Sequence, residues 1–225
     1  MIDRNYDRIT IVCYPAGAGG NFLINCLSLT DNCVLRNAQL ADQQLAGKMS
    51  VTDKLEYLQA QLKHSKQQQI WNDLGLGCEN LFGMPSHGYF DRYPEAIQQR
   101  FNAIVPKLIE QQKHLFIVAH TAQYLKAYCK FWTNAKIIVM TDYCDFLQAR
   151  RFPKFKSQMS IKHWDIDEES SSFEWNVQQT FCGNEQQFLE HLQRCANWLG
   201  LSVTTTDHQL LDYRKVWLET ISQYA

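Results

Sequence analysis

The chain has 225 residues, with 22 Lys+Arg against 23 Asp+Glu and a formal net charge of −1. At roughly 100–200 residues per domain it is one domain, or one domain with an appended subdomain, able to bury about 70 % of its unfolded surface without disulfides or metal. The near-zero charge argues against a protein that grips a nucleic-acid backbone with its whole surface. A hydrophobic share of 45 % with 20 % charged residues argues against disorder.

Eight cysteines stand at 13, 26, 33, 78, 129, 144, 182 and 195, none in a C-x-x-C relation. Metal-site, redox and secreted-scaffold spacings are absent, so the expectation is reduced thiols in a cytoplasmic protein. The N-terminus is charged where a signal peptide is apolar, and no run approaches the roughly 18 apolar residues of a membrane span.

In chain order, the first element is the β-branched run Ile9 to Tyr14, the pattern of a buried strand. Pro15-Ala-Gly-Ala-Gly-Gly20 follows, and then an apolar helix from Asn21 to Leu29. Strand, glycine turn and helix open an α/β unit. Cys33 to Leu35 reads as a short second strand. Residues 36–112 read as a mainly helical insertion, with a helix from Thr52 to His64 capped by Ser50 or Thr52. Gly75, Gly77, Gly83, Pro85 and Gly88 mark a loop over 73–93, and a helix follows from Ala96 to Gln112 that Pro106 kinks or breaks.

Two strand runs, His114 to Ala119 and Lys136 to Thr141, flank a helical stretch from Ala122 to Trp132. That spacing makes a βαβ crossover with parallel strands. Phe146 to Arg151 opens a further helix. The polar stretch 152–180 reads as a loop or lid, with Trp164, Phe173 and Trp175 as packing anchors. Helices over Glu185 to Leu199, stopped by Gly200, and Leu210 to Ile221 close the chain. The expected fold is a single three-layer α/β domain spanning 1–225. Its mainly parallel sheet has four or five strands and helices on both faces.

The glycine turn points backbone N–H groups at the start of a helix, where the macrodipole favours an anion. It has the form of a phosphate cradle but is not a Walker A loop. With Gly20 aligned to that motif's second glycine, Asn21 stands at the lysine and Phe22 at the Ser/Thr. A tight strand-to-helix turn without a ligand is the plain structural alternative.

Cys13-Tyr14-Pro15, leading through small residues into an apolar helix, resembles the 5′-phosphosulfate loop of the sulfotransferases, a P-loop-related α/β family. Ile117-Val-Ala-His120, a helical stretch, and then Lys136-Ile-Ile138 are similar to that family's Thr-His strand end and its following strand. Phe188 to Gly200 is similar to the family's late helix. The resemblance implies 3′-phosphoadenosine 5′-phosphosulfate as cosubstrate, no metal, and a small-molecule or glycan acceptor. It places Gly17, Ala18, Gly19, Gly20 and Asn21 at the 5′-phosphosulfate and His120 as the general base. The chain departs from the family with Ala16 and Gly17 where a basic residue and a serine are usual, and with Asp142 in place of the 3′-phosphate arginine. Arg150 and Arg151 are the nearby cations that the resemblance offers instead.

His120 stands at a predicted strand end, where α/β sheets place their ligand crevice; a strand-end histidine bonded to a neighbouring loop is the alternative. His87 lies in a glycine-bearing loop and reads as a surface residue. The basic and aromatic run from Arg150 to Lys156 reads as a solvated loop. Two rival functions stand beside the transferase. One is a P-loop phosphotransferase or nucleotide hydrolase with Asp142 on Mg²⁺; the other is a catalytically silent relative kept as a binding module.

Overall fold

The computed structural model describes residues 6–14, 18–35, 43–44, 46–64, 106–107, 109–142, 164 and 171–222. Four apolar or alternating runs form strands β1 (Ile9–Cys13), β2 (Leu115–Ala119), β3 (Lys136–Thr141) and β4 (Ser172–Asn176). Every pairing is parallel, and the order is β2-β1-β3-β4. The crossover strands β2 and β3 are therefore parallel as expected, and β1 lies between them. Registers Cys13↔Ala119 and Cys13↔Val139 bring the C-terminal ends of these three strands to one edge of the sheet.

Around the sheet lie α1 (Gly20–Leu27), α2 (Val51–His64), α3 (Ala122–Phe131), α4 (Val177–Phe181), α5 (Glu185–Leu199) and α6 (Asp207–Ser222). Strand side chains alternate between faces, and here both faces are covered. Ile9, Ile11, Cys13, Leu115, Ile117 and Ala119 pack with Leu125 and Tyr128 of α3 and with Trp132. Val12, Phe116, Val118, Ile138, Met140 and Trp175 share the other core with α1, α2, α5 and α6. Double-sided burial is why β2 reads as an unbroken apolar run and β1 as one interrupted only by Thr10, whose hydroxyl is paired with His114. The α/β class with a parallel sheet is thus the observed fold.

Local chemistry sets the helix ends. Ser50, not Thr52, caps α2: its hydroxyl accepts from the Asp53 N–H, and the Asp53 carboxylate accepts from the Ser50 N–H at 2.8 Å. Asn184 and Gln187 form a reciprocal capping box on α5, and Gly200 ends that helix in the left-handed conformation.

Lys54 of α2 is only 2 % exposed. Its ammonium donates to the carbonyls of Thr30 at 2.6 Å, Cys33 at 2.7 Å and Ser28 at 3.4 Å. Burial pulls its pKa below the ordinary lysine value, and the carbonyl dipoles are what hold the charged form in place. They belong to the chain leaving α1, so Lys54 ties α2 to α1. Lys54→Met is expected to lower unfolding free energy by about 2–3 kcal/mol, because three buried carbonyls lose a charged donor. A urea melt equal to wild type would refute this.

Two expectations change. Cys33–Leu35 is not a strand: Cys33 alone bridges His114. The Gln44 side chain takes the place of a neighbouring strand at Leu35, with Oε1 accepting from the Leu35 N–H at 2.6 Å and Nε2 donating to its carbonyl. The stretch 152–180 is not wholly a loop or lid, because its end forms β4 and α4. Ser172-Phe-Glu-Trp-Asn176 alternates along β4, with Phe173 half-buried and Trp175 fully buried. The preceding serine run masks that period of two. Of the helix expected over 96–112, Pro106, Lys107, Ile109 and Glu110 are helical, and Gln112 turns out of it with a φ of 51°. The 73–93 loop and the helix over 146–151 lie outside the described residues.

Candidate functional site

The site lies where the parallel strands end. Tyr14 continues β1, and its N–H donates to the Ala119 carbonyl at 3.1 Å. His120 follows β2 and is 4 % exposed. Its Nδ1 lies 2.9 Å from the Tyr14 carbonyl. A carbonyl only accepts, so Nδ1 carries a proton, and in the neutral ring Nε2 is the basic nitrogen. The Tyr14 and His120 rings meet edge-on at 4.8 Å and 86°. His120 is therefore held by the neighbouring strand end, and its tautomer is the one a base acting through Nε2 requires.

The turn leads into α1 through Ala18, Gly19 and Gly20. Gly19 is the N-cap, with φ 83° and no side chain to cap the first-turn N–H groups of α1. The Leu23 N–H closes the first helical bond to the Gly19 carbonyl at 3.1 Å. Asn21 is 5 % exposed, and its Oδ1 accepts from the Tyr14 hydroxyl at 2.8 Å.

Both glycines have packing reasons. A Cβ on Gly20 would sit 2.1 Å from the Tyr14 ring, and one on Gly19 would sit 2.6 Å from Phe181 and 3.1 Å from Trp217. Aromatic rings therefore press on this turn from two sides. Trp217 in turn stacks on Phe22 of α1, with ring centroids 4.1 Å apart and 9° between planes.

On the other side of β1, Asp142 follows β3 with a φ of 49°. The Asn176 amide donates to its carboxylate, while Asn176 Oδ1 caps α4 by accepting from the Gln179 N–H at 2.9 Å. Asp142 is thus fixed by the end of β4. Arg214 of α6 is another buried cation, donating to the carbonyls of Gly183 at 2.7 Å, Phe181 at 3.0 Å and Thr180 at 3.3 Å. Burial lowers its pKa, and its guanidinium lies 5.3 Å from the Phe188 ring. It closes the C-terminus of α4 beside the aromatic wall of the turn.

The cysteines near the core are poor nucleophiles. Burial pushes the thiol of Cys13 well up, Cys33 to about 11 and Cys195 to about 12, so each stays protonated at neutral pH. Among the described residues no cysteine is in a disulfide, and no group of His, Cys, Asp and Glu is arranged to hold a metal. Among them, too, no helix is long and apolar enough to cross a membrane.

Of the residues singled out from the sequence, Ala18, Gly19, Gly20, Asn21 and His120 come together at this edge. Gly17, Arg150 and Arg151 lie outside the described residues, as does His87. The side chains of Tyr14, Asn176 and Arg214 were not anticipated. Tyr14 stood in view as the residue after a strand, but nothing local marks Asn176 or Arg214, whose partners come from other elements.

Fold and site together define a parallel-sheet α/β protein with a strand, glycine turn and helix unit beside a strand-end histidine. No protein family, curated protein or solved structure matches the chain.

Proposed function

We propose that the protein is a sulfotransferase-like transferase. It moves a sulfuryl group from 3′-phosphoadenosine 5′-phosphosulfate to a hydroxyl or amine of a small-molecule or glycan acceptor. The observation that carries this reading is His120, locked by the Tyr14 carbonyl in the Nδ1–H tautomer and joined through the Tyr14 ring to Gly20 at the start of α1. In the reaction, Nε2 of His120 takes the acceptor proton, and the acceptor oxygen or nitrogen attacks sulfur. The bond from sulfur to the 5′-phosphate oxygen breaks, releasing 3′-phosphoadenosine 5′-phosphate. The N–H groups from Ala18 to Asn21 and the helix dipole favour the doubly charged phosphosulfate.

A second reading has its own observation. The rings packed against Gly19 and Gly20 account for both glycines without a ligand, which favours a silent binding module that keeps the fold. One titration separates them. Calorimetry with 3′-phosphoadenosine 5′-phosphate in the absence of metal gives saturable binding if the transferase reading is right. Indifference to this nucleotide and to Mg-ATP supports the silent module, and preference for Mg-ATP supports phosphotransfer with Asp142. In the transferase, His120→Ala is expected to cut the turnover rate by about 10²–10⁴. Unchanged turnover would remove His120 from the chemistry.

A further inference from the structure

Tyr14 touches His120 and the first turn of α1 at once, through its carbonyl, its ring and its hydroxyl. Its carbonyl lies 2.9 Å from Nδ1 of His120, 106 residues away in sequence. Its ring meets the imidazole edge-on at 4.8 Å and presses on Gly20 so closely that a Cβ there would fall 2.1–2.4 Å from three ring carbons. Its hydroxyl donates to Asn21 Oδ1 at 2.8 Å in the first turn of α1. Only 2 % of Tyr14 is exposed, so the ring is held inside the packed interior.

The consequence is mechanical. A shift of the α1 N-terminus displaces the ring through Gly20 and Asn21, and the ring displaces the imidazole. The Tyr14 backbone is anchored independently by its N–H bond to Ala119. The carbonyl that selects the tautomer is therefore fixed to β2, while the ring that orients the imidazole is fixed to α1.

We infer that Tyr14 is the positioning residue that aligns His120 with the N-terminus of α1. Its role in transfer rests on the function proposed above, whereas the alignment itself is a property of the free protein. Tyr14 touches no reacting atom in this scheme; it acts through the imidazole and through Asn21. Glycine is required at position 20 because the ring occupies the space of a side chain there.

The imidazole nitrogens of uniformly ¹⁵N-labelled protein report the tautomer, with His120 assigned by comparison with His120→Asn. Wild type and Tyr14→Phe, which keeps the ring, are expected to show His120 in the Nδ1–H form. Tyr14→Leu and Gly20→Ala are expected to bring that form below half of the population while the His114 signals stay in place. A wild-type His120 in the Nε2–H form overturns the inference at once. So does either disruptive variant that folds, by circular dichroism, and keeps the wild-type signature.

Tyr14→Phe also loses the bond to Asn21. It is therefore expected to lower the urea midpoint of unfolding, because a buried bond between Tyr14 and the first turn of α1 is lost. An unchanged midpoint would overturn the link from Tyr14 to α1. If wild type does not bind 3′-phosphoadenosine 5′-phosphate at all, the transferase reading fails, and the ligand-free imidazole spectra still decide the alignment.

Discussion

Acidification from pH 6.5 to about pH 3 is expected to cost the folded state about 4–5 kcal/mol through a single side chain, His114. The imidazole is 3 % exposed at the start of β2, with Nε2 2.8 Å from the Thr10 hydroxyl. Burial pushes its pKa down from 6.5 to about 3, and the positive charges of Lys136 and Arg8 add to the effect. An unfolded chain takes up this proton near pH 6.5, and the folded chain does so only near pH 3. Stability is therefore whole above pH 6.5 and falls as pH drops, by up to about 1.4 kcal/mol per pH unit, until the folded state also protonates.

His114→Gln places an amide nitrogen or oxygen near the position of Nε2 and does not titrate. Urea midpoints measured for both proteins between pH 7.5 and pH 4 are expected to diverge, with wild type losing more. Parallel curves would assign the acid sensitivity to other groups. By pH 4 the loss is about 3 kcal/mol, a fifth to three fifths of a typical domain's stability, so the wild-type midpoint is expected to fall well below that of the variant.

Gly19→Ala is the second large effect, with an expected loss of about 2–5 kcal/mol. Two causes add. The backbone φ is 83°, and an L side chain in the left-handed region costs about 1–2 kcal/mol. The new methyl would also stand 2.6 Å from the Phe181 ring and 3.1 Å from Trp217, both at most 2 % exposed. Overpacking of that kind costs about 1–3 kcal/mol. Gly47 supplies the control: its φ is 67°, and a Cβ there meets nothing within 4 Å. Gly47→Ala is expected to cost about 1–2 kcal/mol from strain alone. If Gly19→Ala melts no lower than Gly47→Ala, the aromatic wall does not hold the turn.

Much of the architecture was legible along the chain. The apolar runs at Ile9–Cys13, Leu115–Ala119 and Lys136–Thr141 are strands, and the periodic segments after Ser50, Thr121 and Asn184 are helices. β4 was missed because only Phe173 and Trp175 carry its alternation, and serines precede them. Cys33–Leu35 has a strand's apolar pattern but lacks a ladder partner, and the Gln44 side chain fills that place at Leu35. At the site, the strand-end position of His120 and the turn at Ala18–Asn21 were visible as local motifs. That Tyr14 joins them was not visible.

Local pattern reaches only as far as a helix turn or a strand pair, so from residue order alone come the α/β class, the parallel crossover and the end of α5 at Gly200. Which strand lies in the middle, which carbonyls surround Lys54 and why Gly19 and Gly20 carry no side chain all depend on groups brought together from far along the chain. Those outcomes rest on how volumes fill two closed cores, and close packing is a property of the assembled sheet and helices. Periodicity places a side chain on a face; only its neighbours in space determine what it touches.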